Sequence, residues 1–340
     1  MERSIRSAGP TVSLDRAELD ARFRELVAPR VFRRGRSSER PLTLWVGGQP
    51  GSGKTFCGQA LVRRLGESDL CPVIGDDLRR FHPLFDDLVS SDPLRMPEVT
   101  AQASGAWVAA CIEHANRERF SIVLEGTWRD PALVASAAQE ARRWGRRTHA
   151  VVVAVPPLLS RVSALERFYL GGEVSSQMGR WTPLEHHDRA AAMLPGTVAE
   201  LAADRNVERF TVINRAAEEL VSLGWSSLRA ARVDAVFDGA FNRDSTPHEA
   251  AQVVAMQPMI AAAHERAGIR DSGAVEAQSW LYGVASKLQE QFRSSPRIAG
   301  VELRRPAARV MIEELRGRAA VRPTDVLRAD RGERSMGVER

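Results

Sequence analysis

The chain has 340 residues, of which 44% are hydrophobic and 27% are charged, and its formal net charge is +5. This length allows two to three domains, and the composition excludes a disordered or fibrous chain. Its three cysteines, at no metal-ligand spacing, argue against a disulfide framework or a zinc site. We therefore expect Cys57, Cys71 and Cys111 to be buried thiols in a reduced compartment.

The N-terminus lacks an apolar signal-type stretch, and the longest apolar run, from Ala150 to Leu159, is interrupted by Pro156-Pro157. These features predict a cytoplasmic protein without a membrane span. A basic cluster has no aromatic interleaving or recognised nucleic-acid motif, so we interpret it as a solvated arm or a surface with affinity for anionic nucleotides. The cluster consists of Arg30, Arg33, Arg34, Arg36 and Arg40.

Strands and helices alternate over the first two thirds of the chain. After a loose arm at 1–12, the pattern predicts a helix from Ser13 to about Val31. The elements predicted next are a strand at 42–46, a helix at 55–65, a strand at 71–74, a helix at about 98–119, a strand at 121–124, a helix at 131–143, a strand at 148–155, a helical segment at 158–195 and a strand at 210–214. This alternation predicts an α/β fold with a parallel sheet covered on both faces.

From about Gly224 onward the apolar periodicity is helical only, with segments near 227–240, 246–267, 274–293 and 304–318. We expect an N-terminal arm and helix at 1–40, an α/β domain at 41–223, a separate helical region at 224–327 and a disordered tail at 328–340.

The most specific motif follows the first strand and fits G-x-x-x-x-G-K-[ST]. Its residues are Gly48, Gln49, Pro50, Gly51, Ser52, Gly53, Lys54 and Thr55. Glycines in such a loop let backbone N–H groups surround a polyphosphate at a helix N-terminus. Lys54 is expected to reach the β- and γ-phosphates of a nucleotide, and Thr55 to hold Mg²⁺. Of 48 basic residues only Lys54 and Lys287 are lysines, so a lysine at this position is a strong signal.

The rest of the sequence separates classes of phosphate-loop proteins. A GTPase needs an Asn/Thr-Lys-x-Asp motif, and neither lysine lies in one. A motor-type ATPase usually has a strand that ends in Asp or Asp-Glu, whereas this chain has Leu124-Glu125-Gly126-Thr127. A small-molecule kinase instead needs a base near the acceptor hydroxyl and arginines around the transferred phosphoryl group.

Four separated motifs together resemble the zeta toxin family. They are the phosphate loop at 48–55, the stretch from Asp76 to Pro83, Glu125-Gly126-Thr127, and Arg167 with Arg180 thirteen residues later. The resemblance covers about residues 40–215. It implies a P-loop kinase of a bacterial toxin-antitoxin system that uses ATP and Mg²⁺ to phosphorylate the sugar 3′-hydroxyl of UDP-N-acetylglucosamine or a related UDP-sugar.

The resemblance also implies roles for individual residues. Asp76, six residues before His82-Pro83, corresponds to the family's catalytic base. Glu125 and Thr127 correspond to its substrate-binding acid and threonine. Arg167 and Arg180 correspond to the two arginines that clamp the ATP phosphates. In the family, a helical antitoxin covers the ATP site.

Structural interpretations compete with several of these roles. Asp76 or its neighbour Asp77 fits a helix cap, and Glu125 fits a buried acid bonded to backbone donors. We interpret Arg79 and Arg80 as solvated helix-face charges, with Arg79 also a substrate-binding candidate. His82-Pro83 fits a structural turn. Adjacent side chains on a helix diverge by about 100°, so His186 and His187 cannot chelate a metal from one face, and we expect both at the surface.

Two other functions stay open from the sequence alone. One is a kinase of another small molecule, such as a nucleoside, NAD or an antibiotic, because the core motifs fix ATP but not the acceptor. The other is a non-catalytic nucleotide-binding regulatory protein. The helical region after Gly224 has no counterpart in the minimal kinase core, and we expect a structural or partner-binding role before substrate binding or built-in inhibition.

Overall fold

The computed structural model describes residues 13–67, 69–171 and 179–306. The predicted arm at 1–12, most of the predicted helix at 304–318 and the predicted tail at 328–340 lie outside these residues.

The helices and strands follow the predicted alternation closely. In chain order they are α1 (Arg16–Arg22, a π-helical segment Phe23–Val27, and Ala28–Val31), β1 (Leu42–Gly47), α2 (Lys54–Leu65), β2 (Cys71–Val73), α3 (Gly75–Leu78), α4 (Phe85–Ser91), α5 (Met96–Val99), α6 (Ala101–Arg117), β3 (Ile122–Gly126), α7 (Pro131–Arg143), β4 (Arg147–Val153), α8 (Pro157–Tyr169), α9 (Leu184–Ala203), β5 (Arg209–Ile213), β6 (Glu219–Gly224), α10 (Arg229–Phe241), α11 (Pro247–Ala267), α12 (Ser272–Gln291) and α13 (Pro296–Ala299).

The strands form one sheet in the order β2-β3-β1-β4-β5-β6. Its centre is β1, which pairs in parallel with β3 and β4, so that Trp45 lies opposite both Leu124 and Ala150. All six residues of β1 are buried, as expected for a strand with helices on both faces. The carboxyl ends of five parallel strands therefore meet at one edge, where ligands bind in open α/β sheets. The predicted α/β fold is confirmed.

The sixth strand is a feature that the sequence pattern did not predict. Strand β6 pairs antiparallel with β5 through a tight turn at Asn214. The side-chain oxygen of Asn214 accepts hydrogen bonds from the backbone N–H groups of Ala216 (2.9 Å) and Glu218 (3.0 Å). The side chains of β6 are exposed or half-buried. Such an edge strand does not need the continuous apolar run that marks the buried strands in the sequence, so the pattern did not reveal it.

The helices after Gly224 pack directly against the α/β part. Val153 of β4 and Leu159 of α8 share one hydrophobic cluster with Leu281 of α12. Phe210 of β5 shares a second cluster with Phe237 of α10. The helical segments at 227–240, 246–267 and 274–293 are confirmed as helices. The division of the chain into domains stays a prediction.

The cysteines lie in the interior. Cys57, Cys71 and Cys111 are buried free thiols, as predicted. Burial raises the pKa of Cys71 to about 11 and that of Cys111 to about 12, so both thiols are neutral at physiological pH. Within the described residues, no helix combines the length and apolar character that crossing a membrane requires.

A buried arginine ties the first helix after the sheet to the α/β part. Arg229 is fully buried at the start of α10. Its guanidinium donates to the backbone carbonyls of Ala202 (2.6 Å), Val207 (2.6 Å) and Asp204 (2.7 Å). These carbonyls lie at the end of α9 and in the loop after it, where helix geometry leaves acceptors without partners. Arg229 therefore satisfies three acceptors at once.

We predict that Arg229→Ala lowers the free energy of unfolding by about 3 kcal/mol, because buried carbonyls lose their donors and a cavity forms. Urea denaturation followed by circular dichroism measures the change. Arg232→Ala, at an exposed position of the same helix, is the matched control and should change stability by less than about 0.5 kcal/mol. Equal stability of the two variants would contradict the role of Arg229.

Candidate active site

The phosphate loop runs from the end of β1 to the start of α2 and depends on its glycines. Gly48, Gly51 and Gly53 adopt φ values of 149°, 77° and 93°, which side chains other than glycine rarely adopt. At Gly51 a Cβ atom would also lie 1.9 Å from the carbonyl oxygen of Ser160 in α8. The loop is thus packed against α8, and its glycine conformations allow backbone N–H groups to turn toward a bound phosphate.

Lys54 folds back over the loop. Its Nζ donates to the carbonyl oxygens of Gly48 (2.8 Å) and Gln49 (3.0 Å). Gln49 in turn donates through Nε2 to the carbonyl of Val155 (2.6 Å), which fixes the loop to the segment just after β4. Burial lowers the pKa of Lys54 to about 8. The ammonium group is therefore held where it can exchange its loop carbonyls for phosphate oxygens.

Thr55 and Glu125 meet at the mouth of the loop. The Thr55 hydroxyl donates to Glu125 Oε2 at 2.9 Å. Burial raises the pKa of Glu125, while the Thr55 hydrogen bond and the Lys54 charge oppose that rise. Because the Thr55 proton is directed to Glu125, the lone pairs of the hydroxyl remain available to a cation. The pair fits the sequence prediction that Thr55 holds Mg²⁺.

No group of three or more His, Cys, Asp or Glu side chains is placed to bind a metal by itself in the described ranges. A kinase magnesium site does not require one, since the ion keeps several waters and binds substrate phosphates with one or two protein groups.

Asp76 follows β2 and faces two arginines. Arg180 Nη1 donates to both oxygens of the Asp76 carboxylate, and Arg79 Nε lies 3.2 Å from Oδ1. Burial by itself would raise the pKa of Asp76, but Arg180, then Arg79 and Arg167, outweigh it and hold the pKa below its ordinary value. Asp76 is therefore a carboxylate at neutral pH.

Arg79 is not the solvated charge that its helix position predicted. Only 12% of its side chain is exposed. Its Nη1 donates to the Pro97 carbonyl (2.6 Å) and to the Thr100 hydroxyl (2.7 Å). Pro97 and Thr100 belong to the segment just before α6, which packs over the start of α3. Their bonds to Arg79 hold its guanidinium beside Asp76. Arg80, by contrast, is about half exposed, and its ion pair with Asp77 is long at 3.9 Å.

The two predicted clamp arginines lie side by side, although Arg180 comes thirteen positions after Arg167 in the sequence. Arg167 is in the last turn of α8, and the Gly179 backbone N–H donates to the Phe168 carbonyl at 3.1 Å. A Cβ atom at Gly179 would lie 2.1 Å from the Arg167 carbonyl oxygen, so glycine permits this approach. Arg167 contacts the Thr182 hydroxyl at 3.5 Å, and the buried Nε of Arg180 has no hydrogen-bond partner among the residues described.

One cleft of about 760 Å³ brings these groups together. It is lined by the predicted residues Pro50, Gly51, Gly53, Lys54, Thr55, Asp76, Glu125, Thr127, Arg167 and Arg180. Four other predicted residues, Gly48, Gln49, Ser52 and Arg79, do not line the cleft. At least two of them hold residues that do line the cleft, since Gln49 anchors the phosphate loop and Arg79 supports Asp76.

Two arginines that the sequence analysis missed also line the cleft. Arg129 lies two residues after Thr127, and Arg215 lies two residues after the end of β5. Both follow carboxyl ends of parallel strands, and this position is the signal that could have singled them out. Among 46 arginines in the chain, residue type alone carried no such signal.

The expectation for His187 is wrong, whereas that for His186 is confirmed. The His186 side chain is 58% exposed, but His187 is buried, with Nε2 2.8 Å from the Ser160 hydroxyl and Nδ1 3.1 Å from Asp188. Burial lowers the pKa of His187 to about 4, so the ring is neutral at physiological pH. Adjacent helix residues diverge by about 100°, which is enough for one to face the core and the other solvent. His187 thus links α9 to α8 behind the phosphate loop.

The α/β part of the chain matches known proteins. A family model described as zeta toxin matches residues 30–223. The toxin PezT of Streptococcus pneumoniae is 27% identical over 199 residues, which cover 58% of this chain and 78% of that protein. The toxin zeta of Enterococcus hirae is 27% identical over 184 residues, which cover 54% of this chain and 64% of the relative.

The fold is also similar to a solved structure. A chain from the PezAT chromosomal toxin-antitoxin system of Streptococcus pneumoniae aligns with a TM-score of 0.59 and 19% sequence identity. The alignment covers 75% of this chain and 97% of the other. At this identity the likeness concerns the fold, whereas the family match rests on more than half of the sequence. The chain belongs to the zeta toxin family.

Proposed function

We propose that this protein is a kinase that transfers the γ-phosphoryl group of MgATP to the sugar 3′-hydroxyl of UDP-N-acetylglucosamine or a related UDP-sugar. The observation that carries the proposal is the ionised Asp76 carboxylate held by Arg180 in the same cleft as Lys54. A phosphate loop alone binds a nucleotide, but a carboxylate facing it across a cleft can also receive an acceptor hydroxyl.

The donor side of the reaction uses the loop and the two clamp arginines. The loop N–H groups and Lys54 bind the β- and γ-phosphates, and Arg167 and Arg180 neutralise charge on the transferred group. Thr55 would hold the magnesium ion, which would offset the negative charge of the phosphates. Charge neutralisation and positioning supply most of the catalysis in phosphoryl transfer.

On the acceptor side, Asp76 orients the hydroxyl and takes its proton. A carboxylate with a lowered pKa is a weak base, which suits phosphoryl transfer because the nucleophile loses its proton late. Glu125 and Thr127 at the end of β3 bind the sugar, and Arg129 adds a positive charge on the same side of the cleft. These groups favour an acceptor that is both hydroxylated and anionic, as a UDP-sugar is.

Membership of the family also supports a role as the toxin of a toxin-antitoxin system in the cytoplasm. The cleft is open to solvent, so a helical antitoxin could cover it and exclude ATP. Phosphorylation of a UDP-amino-sugar would remove a cell-wall precursor, and the loss of this precursor would explain toxicity.

The direct test is incubation of the purified protein with γ-labelled ATP and a panel of acceptors. UDP-N-acetylglucosamine, UDP-glucose, a nucleoside, NAD and an aminoglycoside cover the alternatives. We expect label in the UDP-amino-sugar. Transfer only to the nucleoside, NAD or the aminoglycoside would support a kinase but overturn the proposed UDP-sugar acceptor. ATP binding without transfer to any acceptor would favour a regulatory nucleotide-binding protein.

Asp76→Asn is expected to lower kcat by about 10²-fold or more, because it removes the proton acceptor while keeping the shape of the side chain. The Kd for ATP should change little. Asp77→Asn is a matched control on the adjacent residue and should retain most of the activity. Comparable kcat values for the two variants would refute Asp76 as the base.

Arg180 is expected to determine the pH below which kcat falls. Because its charge lowers the pKa of Asp76, Arg180→Met should raise that pKa and move the acid limb of the pH profile of kcat to higher pH. The variant should also be slower at all pH values. Arg129→Met is the control, because Arg129 has no contact with Asp76 among the described residues. Its acid limb should stay where it is in the native protein. An unshifted limb in Arg180→Met would show that Arg180 does not tune the base.

The lowered pKa of Lys54 predicts weaker nucleotide binding at alkaline pH. The side chain is charged below about pH 8 and loses its proton as the pH rises above that value. The Kd for ATP, measured by titration calorimetry between pH 6.5 and 9.5, should therefore rise above about pH 8. Lys54→Arg keeps its charge over this range, so its Kd should be pH-independent, although weaker overall because of its different shape. A flat profile for the native protein would contradict the prediction.

A further inference from the structure

A serine, a histidine and an aspartate are bonded in a row behind the phosphate loop, where helices α8 and α9 meet. The Ser160 hydroxyl in α8 lies 2.8 Å from Nε2 of His187 in α9, and His187 Nδ1 lies 3.1 Å from Oδ1 of Asp188. Ser160 is fully buried and His187 is 1% exposed. These residues do not line the phosphate cleft, and the proposed reaction gives none of them a role.

The direction of each hydrogen bond follows from the chemistry of the three groups. Asp188 also pairs with Arg161, so it is a carboxylate that can only accept. The neutral ring of His187 therefore carries its proton on Nδ1 and accepts at Nε2. The Ser160 hydroxyl donates to that nitrogen in preference to the Pro157 carbonyl at 3.0 Å, because an unpaired buried nitrogen is unfavourable.

The same order of hydrogen bonds occurs in the catalytic triads of serine hydrolases. A nucleophile has to reach its substrate, however, and the Ser160 side chain is completely covered. The three groups can therefore hold one another in place, but they cannot attack a substrate.

The phosphate loop lies directly against the helical turn that contains Ser160. A Cβ atom at Gly51 would lie 1.9 Å from the Ser160 carbonyl oxygen and 2.8 Å from the Ala164 nitrogen. The Gln49 side chain is bonded to the Val155 carbonyl, just before α8 begins. A displacement of the first turns of α8 would therefore displace the loop. Because backbone N–H groups bind an anion well only when they converge on it, such a displacement would weaken phosphate binding.

The far end of this network is held by the helical region. Arg161, which pairs with Asp188, has a side chain that is only 15% exposed, and its guanidinium carbon lies 4.5 Å from the centre of the Trp280 ring. A guanidinium over an indole ring is attracted by the negative face of the ring. Since Trp280 belongs to α12, contacts run from the region after Gly224 through α9 and α8 to the phosphate loop.

We infer that His187 is a positioning residue for the phosphate loop: it holds Ser160, and with it the first turns of α8, where the loop can close around phosphate. The inference rests on the proposed use of ATP and adds a residue that does not line the cleft. If His187 served only to stabilise the fold, its replacement would lower the free energy of unfolding but leave the phosphate affinity of the folded protein unchanged.

The test measures the Kd of inorganic tripolyphosphate and of ATP by titration calorimetry. His187→Asn keeps a donor near the position of Nδ1 but is too short to reach Ser160, whereas His187→Gln places an amide oxygen near the position of Nε2. We expect His187→Asn to raise both Kd values about tenfold, and His187→Gln to stay within about threefold of the native protein. His186→Asn, at the exposed neighbouring position, is the matched control and should bind both ligands as the native protein does.

A double-mutant cycle tests whether His187 acts through Ser160. Ser160→Ala should raise both Kd values about as much as His187→Asn, and the double variant should bind no more weakly than either single variant. Circular dichroism and urea denaturation establish that each variant is folded under the conditions of the titration. If His187→Asn does not fold, Ser160→Ala, which removes only one oxygen atom, provides the same test.

The outcomes separate the inference from the proposed function. A native protein that binds neither ligand would contradict both. If the native protein binds both ligands, and folded His187→Asn and Ser160→Ala bind them equally tightly, the inference is overturned and the proposed function stands. Binding by His187→Gln that is as weak as that of His187→Asn would also overturn the inference, because the bond to Ser160 would then not be what positions the loop.

Discussion

The ion pair between Arg180 and Asp76 joins the two halves of the proposed reaction. Asp76 follows β2 at one end of the sheet, and Arg180 lies beyond β4, on the other side of the phosphate loop. The pair spans the cleft because the segment after α8 packs back on the end of that helix at Gly179, which places Arg180 opposite Asp76. It keeps Asp76 ionised despite burial, and it holds Arg180, one of the two proposed clamp arginines, in the same cleft as Lys54. When ATP binds, the same guanidinium can be shared between carboxylate and phosphate.

The supports of this pair extend far into the fold. Arg79 fixes Asp76 from behind, and Gly179 allows the Arg180 segment to pack on the end of α8. Helix α8 is fixed in turn by His187 on one side and by His264 on the other. The helical region thus shares a core with the α/β part and stabilises the helix that carries Arg167.

The sequence was most informative where backbone chemistry is restrictive. The phosphate loop could be predicted because only glycines permit its φ values, and because a lysine is rare in this chain. Asp76, Glu125, Arg167 and Arg180 could be proposed from ordered motifs, and the structure brings them to one cleft. Strand β6, the burial of Arg79 and the buried face of His187 could not be predicted. Each depends on contacts between distant segments, and an arginine or histidine in a helix has the same local pattern whether it is buried or exposed.

The most direct measurement is a crystal structure of the protein with a non-hydrolysable ATP analogue, Mg²⁺ and UDP-N-acetylglucosamine. The account predicts an oxygen of Asp76 within about 3 Å of the sugar 3′-hydroxyl, with that hydroxyl in line with the γ-phosphate. A hydroxyl bound instead by Asp77 or Glu125, with Asp76 still paired to Arg180 and out of reach, would contradict the assignment of Asp76 as the base.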